Sequence, residues 1–192
     1  ASGARLAFAS APDVDTFWHE VRRYGATHVS YTWSSLRPVV DAPPDPREQH
    51  HPIRLFVGSG MPAGLGARLE QRFAPAQVLE FFASTAGEVV LANRPGTGPT
   101  GGSHPVPGSV EVRVAAYDFM NRRLVVGRNG LGREVNAHEP GMLVARVNAP
   151  RLESHASLRS VFKVGDAWLS TGAVFTRDDA GGLMHLDSLG AM

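Results

Sequence analysis

Three short apolar runs in the first half of the chain, at residues 28–33, 53–57 and 77–82, are separated by stretches of helical periodicity. This alternation restricts the fold more than any other feature. Residues 28–33 (HVSYTW) alternate with period two, as a strand with two unlike faces does. Before them, Asp13 stands as N-cap of a helix in which Phe17, Val21 and Tyr24 recur at helical spacing. Arg22 and Arg23 come late, where they complement the helix dipole, and Gly25 is a natural stop. Ser34-Ser35-Leu36 begins a short helix that Pro38 weakens, and residues 41–52 form a polar loop with four prolines. A further helix is predicted over 62–73, with Pro62 in its first turn and Leu65, Leu69 and Phe73 as the buried stripe. A short strand is also expected at 5–9. Strand and helix in alternation predict a parallel α/β sheet with helices.

The texture changes after the Gly/Pro-rich residues 94–108. Strand-like runs follow at 110–114, 123–126, 142–147, 168–175 and 183–187, separated by turn signals such as Arg128-Asn129-Gly130 and Glu139-Pro140-Gly141. Only residues 157–162 suit a short helix. The expectation is an α/β subdomain over 1–100 and a β-rich, barrel-like subdomain over 105–192.

Composition narrows the function. Net charge is +1 with scattered basic residues, so no nucleic-acid footprint is indicated. The absence of Cys removes disulfides and thiolate metal sites and fits a reducing, cytoplasmic compartment. No apolar run is long enough for a transmembrane helix, and no basic-then-apolar leader opens the chain. The chain starts without Met and stops just past a strand-like run, which suits a piece of something longer. None of the eight histidines forms H-x-x-x-H, so no metal ligands are predicted. Nucleophile-elbow and Walker-type motifs are absent, and Asp178-Asp179 before Gly181 reads as a hairpin turn.

Two stretches suit ligand binding. Gly58-Ser59-Gly60-Met61-Pro62-Ala63-Gly64 follows a strand and opens a helix, a place for an anion or the edge of a purine. It also reads as a tight turn for close packing. Glu80, twenty residues beyond Gly60, invites a dinucleotide reading, but the spacing is G-x-G-x-x-x-G with a proline inside it. In the second stretch, a strand over 77–82 runs into Ala83-Ser84-Thr85-Ala86-Gly87-Glu88. One of Phe81 and Phe82 would stack on a base, the other would be core, and Ser84 and Thr85 would reach a phosphate. An ordinary strand and turn is the alternative.

Taken together, five segments resemble the adenylate-forming (AMP-binding) enzymes, in particular the very-long-chain, fatty acid transport protein-type acyl-CoA synthetases. Phe17-Trp18 through Tyr24-Gly25-Ala26-Thr27 looks like the helix and strand before that family's acyl pocket. Arg54-Leu55-Phe56-Val57-Gly58-Ser59-Gly60 resembles its R-L-x-x-G-x-G segment. Glu80-Phe81-Phe82-Ala83-Ser84-Thr85-Ala86-Gly87 is similar to E-F-Y-G-S-T-E-G, residues 165–173 to G-D-x-Y-x-N-T-G-D, and Asp187-Ser188-Leu189-Gly190-Ala191 to D-R-L-G-D. The resemblance implies ATP-dependent formation of an acyl-adenylate from a fatty acid with Mg²⁺, then transfer to coenzyme A. It implies that Gly58, Ser59, Gly60 and Phe82 border adenine and that Ser84 and Thr85 act at the phosphate end of AMP. Family acids at 86 (magnesium), 173 (ribose) and 191 (hinge), and an arginine at 188 beside the ribose, are here Ala86, Ala173, Ala191 and Ser188. By the same comparison the chain corresponds to the second half of the large domain. The phosphate loop would then precede Ala1 and the lysine-bearing small domain would follow Met192, both serving as partner segments in a parent whose substrates partition into membranes. Two functional expectations follow. One is a fragment or variant of a fatty acid–CoA ligase, inactive as this isolated chain. The other is a degenerate adenylation domain that binds lipid, nucleotide or a partner without turnover.

Overall fold

The computed structural model describes residues 3–8, 13–62, 64–84, 89–93, 102–147 and 157–189. They fall into two compact units, one within Ala1–Glu80 and one within Phe81–Arg94 and Gly101–Met192. Residues 81–94 thus group with the β-rich part, although the sequence texture changes only later. The reason is their pairing and burial, described with the second unit.

The first unit opens with α1 (Val14–Tyr24). The Asp13 carboxylate accepts from the Thr16 N–H at 2.9 Å, and Gly25 ends the helix at φ 59°. The helix buries Trp18 and Val21, with Phe17 partly covered, whereas Tyr24 is exposed. The helical spacing therefore found the right helix and misplaced one edge of its buried stripe. Strand β1 (His28–Thr32) runs directly into α2 (Trp33–Asp41), where Pro38 is accommodated, and the Ser35 hydroxyl accepts from the Thr32 N–H at 3.1 Å. Strand β2 (Leu55–Ser59), helix α3 (Leu65–Arg72) and strand β3 (Gln77–Ser84) follow. β1, β2 and the first half of β3 are parallel neighbours, in the register Tyr31↔Gly58 and Gly58↔Glu80. Trp18, Leu36, Phe56, Leu69 and Phe73 form the core beneath them. Truncating one such side chain to alanine costs about 2–5 kcal/mol.

One residue of α3 makes several bonds to the proline-rich loop. The Arg72 guanidinium donates to Val40 O at 2.7 Å and Pro43 O at 3.2 Å and forms a largely buried ion pair with Glu48 at 2.5 Å. The strand expected at 5–9 is not formed by residues 3–8. They join no ladder among the described residues, and Leu6 and Phe8 are exposed.

In the second unit, the second half of β3 pairs antiparallel with β4 (Val89–Ala92), and β4 with β5 (His104–Pro105). The remaining strands are β6 (Val112–Asp118), β7 (Arg123–Leu124), β8 (Gly141–Arg146), β9 (Ser157–Arg159), β10 (Ala167–Arg177) and β11 (Leu183–Ser188). They make a curled, half-barrel sheet in the order β11-β10-β8-β6-β7, with β9 added beside the start of β10. The helix expected at 157–162 is therefore corrected to strand β9 followed by a bend. Leu158 faces Trp168 across the ladder, and three ladder pairs outweigh a marginal helical pattern. Alternation along the strands divides the side chains into two cores. Val114, Ala116, Leu143, Ala145 and Phe175 line one face together with Val89, Leu91 and Phe82, which explains why residues 81–94 belong here. Ala115, Met142, Val144 and Trp168 line the other face. Among the described residues no helix is long and apolar enough to cross a membrane.

Candidate functional site

The end of β2 and the turn after it are shaped by three residues in line across three parallel strands. Gly58 lies between Tyr31 and Glu80. A Cβ at Gly58 would stand 2.2 Å from the Tyr31 carbonyl oxygen and 2.6 Å from its Cγ. The missing side chain leaves room for the Tyr31 ring to lie over β2. Its hydroxyl then donates to Oε2 of Glu80, two strands away. The other carboxylate oxygen, Oε1, accepts from the Met61 N–H at 2.9 Å. Gly60, at φ 85°, turns the chain between these anchors. Burial raises the Glu80 carboxyl above its ordinary pKa, while the bonds from Tyr31, Met61 and Gly60 work the other way. Burial likewise pushes the Tyr31 phenol up, and Glu80 adds to the effect. The carboxylate that invites a dinucleotide reading is thus engaged in tying down the loop. Gly58 and Ser59 end β2 and Gly60 turns the chain, at the carboxyl ends of the parallel strands, the usual ligand side of such a sheet.

The rest of the sequence-derived site lies in the second unit. Ser84 closes β3 opposite Val89. Thr85 and Ala86, with Gly190 and Ala191 of the last motif, lie outside the described residues. Phe82 is partly buried and packs against the first core of this unit. Its ring meets Phe175 edge-on at 5.0 Å and stacks on His185 at 5.6 Å and 24°. Burial lowers the pKa of His185. No sequence motif marked this histidine. Its two-residue spacing from Asp187 was the available signal, since both lie on one strand.

Residues 165–173 build a turn and then a bulge. Asp166 accepts from the N–H groups of Val161, Phe162 and Lys163 at 2.6, 3.0 and 3.0 Å. Along β10, the four steps from Ser170 to Val174 face only two on β8, from Val144 to Met142. This bulge contains Gly172 at φ 72°. On the other side of β10, Ala173 lies directly opposite Ser188 on β11. The structure therefore brings together positions 173 and 188, fifteen residues apart, as cross-strand partners. Ala173 is buried in the apolar cluster with Phe175 and Leu183, and the Ser188 hydroxyl lies 3.2 Å from Nε2 of His185. A ribose at this pair would meet a methyl group and one shared hydroxyl in place of a carboxylate and a guanidinium. These residues do not fit the ribose as the resemblance implies. Among the described residues no group of three His, Asp or Glu side chains could hold a metal ion.

Comparison with known proteins agrees with the motifs. No family model matches the chain. Long-chain fatty acid transport protein 5 of Mus musculus is 30% identical over 200 residues, covering 98% of this chain and 29% of the relative. Medium/long-chain-fatty-acid–CoA ligase FadD6 of Mycobacterium tuberculosis is 29% identical over 198 residues, covering 98% of this chain and 32% of the relative. The chain thus spans about a third of the length of the curated relatives it matches. Among solved structures, a benzoate CoA ligase from Burkholderia xenovorans LB400 superposes with a TM-score of 0.65 at 21% identity, over 94% of this chain and 35% of that one. This last likeness concerns the fold.

Proposed function

The chain belongs to the adenylate-forming, AMP-binding superfamily as a partial domain, and from that premise we propose that it is part of a fatty acid–CoA ligase whose own residues do not sustain acyl-adenylate formation. The substrate class follows from the relatives, one named a long-chain fatty acid transport protein and the other a medium/long-chain-fatty-acid–CoA ligase. ATP, magnesium and coenzyme A enter as the superfamily's reactants. The observation that carries the reading is the pair Ala173 and Ser188, facing each other across β10 and β11.

A carboxylate at 173 would accept charge-assisted hydrogen bonds from the ribose. Its loss removes about 2–3 kcal/mol, or roughly thirty- to 150-fold in affinity. Ala86 offers no oxygen to magnesium, which takes oxygen ligands. The resemblance assigns Gly58, Ser59 and Gly60 to the adenine and Ser84 and Thr85 to the phosphate end of AMP. Phe82 is less free to border the adenine, because Phe175 and His185 take up its ring. A second reading, a degenerate adenylation domain with a binding role only, is favoured by the burial of Ala173 among apolar side chains.

Hydroxylamine trapping of the adenylate separates these readings. ATP, palmitate and hydroxylamine are supplied to the 192-residue chain and, in parallel, to its parent protein. The chain alone is expected to give no acyl-hydroxamate above a no-enzyme control, and clear product from it would overturn the proposal. Product from the parent supports the ligase reading, and none from the parent supports the degenerate one.

A further inference from the structure

The last strand carries a hydroxyl and an imidazole that the ligase reading leaves unused. In an unbroken strand, residues three apart point to opposite faces of the sheet. His185 and Ser188 do not, because β11 holds one residue more than β10 over the same stretch. Phe175 pairs with His185 and its neighbour Val174 pairs with Asp187, which leaves Leu186 as the extra residue of a bulge. Ala173 then pairs with Ser188. Residues 173 and 175 share a face of β10, so their partners on β11 share one too. The bulge thus brings His185 Nε2 and Ser188 Oγ to 3.2 Å, within the reach of a base and its nucleophile.

The imidazole is fixed from two sides. Its ring stacks on Phe82 of β3 at 5.6 Å and 24° and meets Phe175 of β10 edge-on at 5.2 Å. Both His185 and Ser188 keep solvent-exposed surface, so the hydroxyl is open to a reactant. Partial burial lowers the His185 pKa, with Asp187 on the same strand acting the other way. The ring is therefore neutral at neutral pH and able to take a proton. Ser188 stands where the resemblance has an arginine, so the resemblance does not account for this hydroxyl.

We propose that Ser188 is a nucleophile, with His185 as its general base, that accepts the acyl group of an activated ester or thioester. Ser188 Oγ–H donates to Nε2 and gives up its proton there as Oγ bonds to the acyl carbon. The bond from that carbon to the leaving oxygen or sulfur breaks, and its electron pair departs with the leaving group. His185 then passes the proton to the leaving group or to solvent, which leaves O-acyl-Ser188 and a free alcohol or thiol. The pair supplies attack and proton transfer, so it suits acyl donors with stable leaving groups. The inference does not draw on the ligase reading and stands if that reading fails.

The test is incubation of the 192-residue chain with p-nitrophenyl acetate, with the acetyl group located by peptide mass spectrometry over time. Ser34 is the internal reference, an exposed serine whose hydroxyl lies 3.0 Å from the Thr32 hydroxyl instead of an imidazole. Ser188 is expected to acetylate at least about tenfold faster than Ser34, since a positioned general base contributes about a hundredfold or more. H185F, which keeps an aromatic ring beside Phe82, and H185Q are each expected to bring Ser188 down to the rate of Ser34, with thermal melts matching the wild type. S188A is expected to lose the adduct and to leave Ser34 labelling unchanged. Ser188 labelling no faster than that of Ser34, or undiminished in a folded His185 variant, would overturn the proposal. So would an acetyl group carried by His185 in place of Ser188. If one His185 variant fails to fold, the other variant and the wild-type comparison of Ser188 with Ser34 decide.

Discussion

Replacing Gly58 by alanine probes the loop most directly. The added methyl would stand 2.2 Å from the Tyr31 carbonyl oxygen, 2.6 Å from Cγ and 2.7 Å from Cδ1. Ordinary contact needs more than an ångström of further separation. None of the three atoms is the far end of a flexible chain, so either β1 and β2 part or the Tyr31 ring swings away. Overpacking of this kind costs about 1–3 kcal/mol. A displaced Tyr31 also withdraws its hydroxyl from Glu80, leaving a buried carboxylate short of a donor for about another 1–3 kcal/mol. The expected loss is about 3–4 kcal/mol, a large part of the stability of a typical domain. Urea unfolding followed by circular dichroism would register it as a midpoint lower by roughly 2 M. Gly130→Ala is the control. Its φ of 74° carries a backbone cost of about 1–2 kcal/mol, but no atom lies within 4 Å of the new methyl. If Gly58→Ala costs no more than Gly130→Ala, the Tyr31–Gly58–Glu80 arrangement is wrong.

Three further outcomes follow. Because burial raises the Glu80 pKa, its contribution to stability is complete below the unfolded value of 4.5 and is lost as pH rises through the folded value. Glu80→Gln, which mimics the protonated form, should therefore gain on the wild type between about pH 4 and neutrality, and a constant difference in urea midpoint would contradict this. Glu139 behaves oppositely. Arg133, at 2.8 and 2.5 Å, and the Asn136 N–H hold its pKa down at about 2. Its stabilisation is thus present above 4.5 and disappears as pH falls through about 2. Both side chains are partly exposed, so Glu139→Gln should cost only about 1 kcal/mol at neutral pH, with the difference vanishing in acid denaturation series. Finally, Ala173→Asp places an unpaired carboxylate in an apolar cluster and should destabilise by about 3 kcal/mol. Adding Ser188→Arg on the facing strand should recover about 1–2 kcal/mol in a double-mutant cycle, and strict additivity would deny the pairing.

Local signals read well where local physics decides. Asp13 and Gly25 bound α1 as their side-chain and backbone chemistry require, and the strands expected at 53–57 and 77–82 form as Leu55–Ser59 and Gln77–Ser84. Long-range pairing was not legible. Val89–Ala92 is a four-residue run whose strand character comes from its partners on β3 and β5, and Ser157–Arg159 is a strand because β10 offers it an edge. The site divides the same way. The glycine turn was visible as a motif, but the reason for Gly58 was hidden, since Tyr31 and Glu80 meet it only through parallel register. The substitutions at 173 and 188 were evident as departures from a resemblance, whereas their cross-strand pairing depends on the antiparallel register of β10 and β11, which spacing does not encode.

The decisive measurement is a calorimetric titration of the 192-residue chain with AMP. With Ala173 buried opposite Ser188 and Phe82 stacked on His185, the expected dissociation constant is weaker than about 1 mM, roughly 4 kcal/mol of binding. A dissociation constant tighter than that would show that a nucleotide pocket survives without the carboxylate, contradicting the proposal that the chain's own residues no longer sustain adenylation.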